Sequence, residues 1–333
     1  MENKNLAKAK NKKNDEFYTQ YEDIEKEISA YLMHNPKAFE NKTVLCPCDD
    51  PEWSNFTKYF VRNFETLKLK KLISTSHGYQ DGERGKCFVL SVSDTISSKV
   101  DVEQVGWKYL DGDGDFRSDE IKAFREEADI IVTNPPFSIY KEFVPWLVES
   151  KKQFLVIANK NSITYKEVFP LIMHGKMWSG NRAWSGGMWF VTNNLDDVDK
   201  VVNGVKLKNV SSVWFTNMEH GRRHEPLELM TMADNIKHSK HKKVRENGYQ
   251  KYDNYDAIEV PYTDAIPIDY SGVMGVPISF LEKYCPEQFE IIGATESEGK
   301  GFSNGLWDKS SGIAQPLLNG NRVYKRFFIR TKC

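Results

Sequence analysis

The feature that most constrains the fold of this chain is an alternation of short apolar runs with amphipathic segments over its first 220 residues. Lys71 to Ser76 is typical of a strand, and the apolar runs Ala128 to Thr133 and Gln153 to Asn159 are typical of strands buried inside a sheet. Ser118 to Ala128 shows helical spacing and begins with a residue that suits an N-cap. Strands that alternate with helices predict an α/β fold with a doubly wound, mostly parallel sheet.

The same periodicity predicts two further helices, and the alternation fades near residue 220. Ser54 to Leu67 carries aromatic and apolar side chains on one face, and Ser162 to His174 has helical spacing. The remainder is richer in Gly, Pro, Tyr and basic residues. We therefore predict one large domain over residues 15 to 220, a smaller region over residues 221 to 333, and a disordered Lys/Asn-rich tail over residues 1 to 14.

The charge of the chain is nearly balanced but unevenly distributed. The 46 Lys and Arg residues and 47 Asp and Glu residues leave a formal net charge of -1. Residues 101 to 129 are strongly acidic, whereas residues 237 to 251 hold six Lys or Arg residues and one acid, Glu246. The last 13 residues hold five Lys or Arg residues and no acid. A basic run is often only a solvated surface, but two such runs also fit contact with phosphates.

Composition excludes several classes of protein. Aromatic residues make up 13% of the chain, which is enough burial to exclude general disorder. The longest apolar runs are too short to span a bilayer, and no apolar stretch follows the N-terminal lysines as it would in a secretory signal. Five cysteines are an odd and sparse set, which fits a reducing compartment. We therefore expect a cytoplasmic protein with no membrane contact.

The sharpest local feature is Asn134-Pro135-Pro136-Phe137, which directly follows the strand that ends at Thr133. Ligands of open α/β sheets bind outside the carboxyl ends of the strands. The Asn134 side-chain carbonyl and the Pro135 backbone carbonyl can accept both hydrogens of an exocyclic NH2 group, and Phe137 offers a flat face for stacking. Two such acceptors would turn the nitrogen lone pair out of the ring. The alternative is a loop in which two prolines simply end a strand.

The segment after the first strand, Cys46 to Asp50, offers carboxylates at a second strand end. Asp49 or Asp50 could hold an amine or a ribose hydroxyl, as acids do in nucleotide sites, or both could be solvated. No metal site is predicted, because Cys46 and Cys48 are separated by one residue where structural metal sites use two to four.

A third feature is the acidic turn from Asp111 to Asp115, followed by Phe116. An EF-hand loop is excluded, because Phe116 occupies the position that requires glycine and Lys122 the position that requires glutamate. Asp115 and Phe116 suit a strand-end acid and an aromatic side chain that contact a bound adenine. The alternative is a plain polar turn.

These features occur in an order that resembles the EcoRI family of adenine-N6 DNA modification methyltransferases. The resemblance reaches both ends of the chain and is weakest between about Gly175 and Gly248. The segments that carry it are Asp15-Glu-Phe-Tyr-Thr-Gln-Tyr21, Cys48-Asp-Asp-Pro51 with Ser54-Asn-Phe56, Gly112-Asp-Gly-Asp-Phe-Arg-Ser118, Val132-Thr-Asn-Pro-Pro-Phe-Ser138, Ile157-Ala-Asn159, Asn161-Ser-Ile-Thr-Tyr-Lys-Glu-Val-Phe169, Lys251-Tyr-Asp-Asn-Tyr-Asp-Ala-Ile258, Gly272-Val-Met-Gly-Val-Pro-Ile278 and Pro286-Glu-Gln-Phe289.

The resemblance implies S-adenosyl-L-methionine as cofactor and a role for each matching residue. The implied cofactor-binding residues are Phe17, Tyr18, Thr19, Cys46, Asp49, Asp50, Asp115 and Phe116, and the implied catalytic residues are Asn134, Pro135, Pro136 and Phe137. The chain departs from the family pattern in three places. It lacks the glycine-rich turn after the first strand, it has Cys46 where an acid is common, and Ser74-Thr-Ser-His77 lacks a ribose-binding acid.

The resemblance also implies a Rossmann-like methyltransferase fold with a C-terminal DNA-recognition region. The implied reaction is methyl transfer to N6 of a flipped adenine in duplex DNA, by a monomer that forms the modification half of a restriction-modification system. Two alternatives stay open. One is the same chemistry on an RNA base or a protein glutamine, and the other is a DNA-binding protein whose cofactor site has decayed.

Overall fold

The computed structural model describes residues 18–78, 82–95, 106–192, 197–295, 302–303 and 305–332. The tail predicted over residues 1 to 14 and the predicted cofactor-binding residue Phe17 lie outside the described residues.

The described residues form two compact units. The first contains the described residues up to Lys160 together with Ser179–His220. The second contains Asn161–Trp178 and the described residues from Gly221 onward. Residues 161 to 178, which the sequence pattern placed in the large domain, therefore belong to the second unit.

The strands and helices of the described residues up to residue 220 are short. The strands are β1 (Tyr18–Thr19), β2 (Thr43–Cys46), β3 (Lys71–Ser76), β4 (Lys86–Ser91), β5 (Lys108–Tyr109), β6 (Ile130–Thr133), β7 (Gln153–Asn159), β8 (Trp178–Ser179), β9 (Met188–Val191), β10 (Lys200–Val202), β11 (Val205–Val210) and β12 (Ser212–Thr216). The helices are α1 (Tyr21–His34), α2 (Asn55–Arg62), α3 (Val92–Thr95), α4 (Asp119–Glu127), α5 (Tyr140–Glu149) and α6 (Phe169–Met173).

The largest sheet is mixed. The prediction of a mostly parallel sheet is therefore wrong for its outer strands, which pair antiparallel. Its strand order is β5-β4-β3-β2-β6-β7-β12-β8. The four central strands, β3, β2, β6 and β7, are parallel, whereas β4 runs antiparallel to β3 and β12 antiparallel to β7. Only nine residues separate Ser76 from Lys86. That connection is too short for the helical crossover that a parallel neighbour requires, so the chain reverses direction.

Both faces of this sheet are buried, as a doubly wound fold requires. Val44, Ile130 and Leu155 pack in one cluster with side chains of α1 and α2. Their neighbours along the strands, such as Leu45 and Ile131, point to the opposite face and are fully buried too. Each buried aliphatic side chain of this kind contributes roughly 1.5–3 kcal/mol to folding.

The predicted helix from Ser162 to His174 is wrong in extent. The structure has a 3-10 segment at Lys160–Thr164 and a separate helix, α6, that begins only at Phe169. Pro170 lies in the first turn of α6. A proline has no backbone N–H to donate and disfavours helical geometry in the residue before it, so it is tolerated at a helix start and not in the interior.

A smaller antiparallel sheet also belongs to the first unit, with the order β1-β9-β11-β10. Tyr18 pairs with Val191 and Thr19 with Phe190, so β1 forms an edge of this sheet. The pairing fixes the N-terminal segment that the resemblance assigns to the cofactor.

The second unit has its own sheet and core. From residue 221, its described elements are α7 (Met232–His238), α8 (Lys242–Asn247), β13 (Ile258–Glu259), β14 (Met274–Pro277), β15 (Phe289–Ala294), β16 (Leu317–Leu318), β17 (Asn321–Arg322) and β18 (Arg326–Thr331). The sheet order is β13-β14-β18-β15. Its core includes Tyr252, Tyr255 and Phe328. Within the described parts of both units, no helix has the length and apolarity needed to cross a membrane.

Candidate active site

The Asn134-Pro135-Pro136-Phe137 loop lies at the carboxyl end of β6, one of the buried parallel strands. All four residues of β6 are buried, and the chain then leaves the sheet because two consecutive prolines cannot donate to a ladder. Pro136, with φ -54°, precedes a 3-10 turn at Phe137–Ile139 that leads directly into α5. Asn134 and Phe137 are half-buried, and Phe137 packs against the main core cluster. The loop is therefore held at both ends by regular structure.

Asp49 is buried and joins the loop after β2 to the Asn-Pro-Pro-Phe loop after β6. Its side chain accepts a hydrogen bond from Ser54 Oγ at 2.8 Å and another from Thr133 Oγ1 at 2.6 Å. The backbone N–H of Asn134 also donates to this carboxylate. Burial raises the pKa of Asp49 from 3.8 to about 7, although its hydrogen bonds oppose the rise. Asp49 thus positions Asn134 from within the protein.

Hydroxyl groups at the end of β3 form hydrogen bonds with the loop after β2, which carries Asp49. Ser74 Oγ donates to the backbone oxygen of Asp49 at 2.7 Å, and Thr57 Oγ1 lies 2.6 Å from Ser74 Oγ. Thr75 Oγ1 donates to the backbone oxygen of Pro47 at 3.1 Å. The Ser-Thr pair stands where the family pattern has a ribose-binding acid, and here it supports the loop after β2.

The N-terminal strand is tied to this loop through α2. Ser54 caps α2 by accepting from Phe56 N, and the next residue, Asn55, donates from Nδ2 to the backbone oxygen of Thr19 at 2.8 Å. Hydrogen bonds of the neighbouring residues Asn55 and Ser54 therefore connect β1 with Asp49, which in turn binds the Asn134 backbone. Ser54, Asn55 and Thr133 all lie in segments that carry the family resemblance, but sequence reasoning assigned a site role to none of them.

Asp50 lies closer to solvent than Asp49, with a side chain that is 20% exposed. Its Oδ1 accepts from the backbone N–H of Glu52 at 2.9 Å, and its Oδ2 lies 3.4 Å from Lys86 Nζ. Lys86 also pairs with Glu52 and lies 4.7 Å from the centre of the Trp107 ring. Of the two neighbouring acids, Asp50 is therefore the one that a ligand can reach.

Cys46 is fully buried at the end of β2, inside the main core cluster. Burial raises the pKa of its thiol well above the ordinary value, so the group is a neutral core side chain. Among the described residues, no three His, Cys, Asp or Glu side chains come together as ligands for a metal ion.

The acidic turn from residue 111 to 115 packs against the carboxyl end of β3. Gly78 N donates to the backbone oxygen of Asp113 at 2.7 Å. Gly114 has φ +80°, and a Cβ on it would lie 2.2 Å from the Ser76 backbone oxygen, so this approach requires glycine. The turn thus brings Asp115 to the same edge of the sheet as the loops after β2 and β6.

Asp115 and Phe116 differ in their access to a ligand. Arg117 binds both carboxylate oxygens of Asp115, through Nε at 2.9 Å and Nη2 at 2.5 Å, and these bonds lower the pKa of Asp115. The Asp115 side chain is 22% exposed. The Phe116 ring is buried and meets the rings of Phe143 and Trp146 edge to face. Asp115 is an ionised acceptor at the surface, whereas Phe116 is a core side chain.

The chain matches known proteins over nearly its whole length. The model of the family described as adenine-specific methyltransferase EcoRI matches residues 5–332. The type II methyltransferase M.EcoRI of Escherichia coli is 41% identical over 343 aligned positions, which cover 99% of this chain and 97% of the relative. M.MpnI of Mycoplasma pneumoniae and M.MgeORF184P of Mycoplasma genitalium, both type II methyltransferases, are each 36% identical over 86% of this chain and 84% of their own length. No solved structure matches.

The mixed α/β sheet, the Asn-Pro-Pro-Phe loop at a strand end and these matches together define a site-specific DNA methyltransferase of the restriction-modification type. The chain belongs to the adenine-specific methyltransferase EcoRI family.

Proposed function

We propose that the protein transfers a methyl group from S-adenosyl-L-methionine to N6 of an adenine in duplex DNA. The observation that carries this proposal is the position of Asn134-Pro135-Pro136-Phe137 at the end of β6, with the Asn134 backbone hydrogen-bonded to buried Asp49. The side-chain oxygen of Asn134 and the backbone oxygen of Pro135 accept the two hydrogens of the adenine amine. Phe137 stacks on the base.

This arrangement suits an amine whose lone pair is delocalised into a purine ring. Two acceptors that hold the N6 hydrogens favour a tetrahedral nitrogen and direct its lone pair away from the ring. The effect is orientation combined with electrostatic preorganisation, so no strong base is needed. Asp49, Thr133 and Ser54 contribute by fixing the loop before the substrate arrives.

The residues at this edge of the sheet fit the cofactor. S-adenosyl-L-methionine supplies an electrophilic methyl group when it is bound. Asp50 and Asp115 are partly exposed carboxylates on adjoining loops, and they suit its amine and its ribose or adenine. Tyr18 and Thr19 lie on β1, which Asn55 ties to the loop after β2. Phe17 completes the proposed set, while the buried Cys46 and Phe116 shape the loops that carry the acids.

The second unit is proposed to bind the duplex through phosphates. The α8 helix buries Val244 and exposes Lys242 and Lys243. The target amine is hidden inside a duplex, so the base must be flipped out at a cost of a few kcal/mol. Phosphate contacts from such exposed lysines contribute binding energy that offsets this cost.

The test is a transfer assay with radiolabelled S-adenosyl-L-methionine and duplex DNA, followed by nucleoside chromatography. We expect label in N6-methyladenine, appearing about 10²-fold more slowly or slower still with Asn134→Ala at matched protein concentration. Label in a cytosine derivative would overturn the adenine assignment. Label in RNA or protein, with none in duplex DNA, would overturn the duplex substrate. Sequencing of methylated positions in cells that express the protein then gives the target site.

A further inference from the structure

Glu27, on α1, is a buried carboxylate that the proposed reaction does not use. Only 1% of the residue is exposed. Its carboxylate accepts from the backbone N–H groups of Asn181 at 2.6 Å and Arg182 at 2.9 Å, and from the Tyr31 hydroxyl at 3.1 Å. Burial of a carboxylate is costly unless directed hydrogen bonds offset it. Two of these bonds come from consecutive backbone groups, so Glu27 fixes the turn that contains them against α1.

This turn, at residues 180–187, is built for the contact with α1. A Cβ on Gly180 would lie 2.3 Å from Glu27 Oε1, so the approach of the chain requires glycine there. The Arg182 guanidinium pairs with Asp23, which lies one helical turn before Glu27 on the same face of α1. Arg182 Nη2 also donates to the backbone oxygen of Gly187 at 3.4 Å. Two acids of α1 therefore hold the beginning of the turn and, through Arg182, its end.

The end of this turn leads directly into β9, which is the strand that pairs with β1. β1 has only two residues, Tyr18 and Thr19, so its ladder supplies few hydrogen bonds of its own. Gln20, between β1 and α1, adds one bond from its Nε2 to the backbone oxygen of Trp189 at 2.6 Å. The position of β1 thus depends on β9, and the position of β9 depends on the turn that α1 holds.

β1 carries a polar group that points to a ligand. Thr19 is 4% exposed, and its Oγ1 is buried without a hydrogen-bond partner among the described residues. Such groups are rare in folded proteins, because burial removes the water that would otherwise satisfy them. The backbone oxygen of Thr19 is already bound by Asn55, the residue after the cap of α2. The Thr19 hydroxyl is therefore held at a fixed place beside the loop after β2.

We propose that Glu27 and Arg182 are positioning residues that hold β1 in the place that the cofactor requires, by fixing the 180–187 turn to α1. This inference rests on the proposed function, because it assumes that Tyr18 and Thr19 bind S-adenosyl-L-methionine. Neither Glu27 nor Arg182 touches the cofactor in this role. A strand that is ordered before binding spares the ligand the entropic cost of ordering it. Loss of the contact therefore weakens cofactor binding more than it slows methyl transfer.

The test measures binding of S-adenosyl-L-homocysteine by calorimetry and single-turnover methyl transfer at saturating S-adenosyl-L-methionine. Arg182→Ala is the main variant, because its side chain is 28% exposed and the fold tolerates its removal. Its affinity should fall about tenfold, as for loss of one hydrogen bond between charged groups. Its saturated rate should stay within about threefold of the wild type. Arg182→Lys restores the charge opposite Asp23 and should recover part of the affinity.

Glu27→Gln tests the buried group itself with little change in volume. The amide retains one acceptor oxygen but places an NH2 group against one of the two backbone N–H groups, which then loses its partner. The affinity for S-adenosyl-L-homocysteine should therefore fall in this variant as well, again with the saturated rate nearly retained.

Asn217→Ala is the matched control for a general loss of stability. Asn217 forms two hydrogen bonds, from Phe154 N at 2.8 Å and to the backbone oxygen of Lys152 at 2.9 Å. They lie at the amino end of β7, whereas the Asn-Pro-Pro-Phe loop follows the carboxyl end of the neighbouring parallel strand. Asn217→Ala should lower the unfolding temperature without weakening cofactor binding.

Hydrogen exchange in the free protein reports the position of β1 without any cofactor. The backbone amides of β1 and β9 should exchange faster in Arg182→Ala than in the wild type, and at the wild-type rate in Asn217→Ala. Unchanged exchange in Arg182→Ala, or equal losses of affinity in Arg182→Ala and Asn217→Ala, would overturn the positioning role alone. A wild type that binds no S-adenosyl-L-homocysteine would instead overturn the proposed function, and this role with it.

Discussion

The two units carry their charged groups in different ways. In the first unit, Asp49 and Glu27 are buried, receive several directed hydrogen bonds, and have pKa values that burial raises to about 7. In the basic run of the second unit, three exposed lysines each form a single surface ion pair: Lys240 with Asp264, Lys242 with Glu246, and Lys251 with Asp256. Exposed pairs are weak and screened by salt. We infer that the first unit depends on a few fixed groups, whereas the second depends on many exchangeable charges.

The largest effect should come from Asp49. Burial raises its pKa from 3.8 to about 7. The folded chain therefore binds this proton more tightly than the unfolded chain. The stability that it contributes is fully present below about pH 4 and is lost as pH rises through about 7. At about 1.4 kcal/mol per pH unit, the loss is roughly 4 kcal/mol. Chemical denaturation between pH 4 and 8 should show the wild type losing about that much relative to Asp49→Asn.

Asp115 provides the matched control for this measurement, because Arg117 lowers its pKa. Its contribution is present above the ordinary carboxyl pKa and is lost only as pH falls below it. Relative to Asp115→Asn, the wild type should therefore lose stability in acid, the opposite direction from Asp49. A difference between wild type and Asp49→Asn that stays constant with pH would show that the internal hydrogen bonds keep Asp49 ionised despite burial.

The second effect concerns chemistry. Asn134→Ala should lower the single-turnover methyl-transfer rate about 10²-fold or more, because it removes a preorganised acceptor that acts mainly on the transition state. Affinity for cofactor and DNA should change little. Asn134→Asp keeps an acceptor oxygen of nearly the same shape and should retain more activity than alanine. Transfer at the wild-type rate in Asn134→Ala would remove this residue from the mechanism.

Local patterns in the sequence predicted the elements of the first unit well. The strands at Lys71–Ser76 and Gln153–Asn159 were predicted with their exact bounds, and Ser118 caps α4 by accepting from Ile121 N. These features depend on side-chain alternation and on capping, and both are determined by residues that are neighbours in the sequence. The prediction of one helix over Ser162 to His174 was wrong, because it gave helical periodicity more weight than the position of Pro170.

Features that depend on distant partners could not be predicted in this way. The different surroundings of Asp49 and Asp50 depend on Thr133, 84 positions away. In the second unit, the buried partner of Arg326 is Glu259, 67 positions away. Sequence reasoning treated Arg326 as one more basic residue of the C-terminal run.

The third effect concerns cofactor affinity. Asp115→Ala should weaken S-adenosyl-L-methionine binding about fivefold, as loss of one hydrogen bond to a partly exposed acceptor does. The rate at saturating cofactor should stay nearly unchanged, because the contact is to a non-reacting part of the ligand. Calorimetry measures the affinity directly. Arg117→Ala serves as a positioning control, since it frees the carboxylate without removing it. Unchanged affinity in Asp115→Ala would make this segment a plain polar turn.

The smallest effect separates two lysines of the basic run. Lys243 lies on α8, is exposed, and has no ion-pair partner among the described residues, whereas Lys240 Nζ lies 2.7 Å from Asp264. If both contact phosphates, Lys243→Gln should reduce the log-log slope of DNA affinity against salt by about 0.9. Lys240→Gln should reduce it less, because Asp264 already balances part of the Lys240 charge. Cognate and random duplexes should respond alike, since phosphate contacts carry no sequence information. Lys122→Gln, in the acidic part of the first unit, is the control and should leave the slope unchanged. Equal slopes for the wild type and Lys243→Gln would make the run a solvated surface.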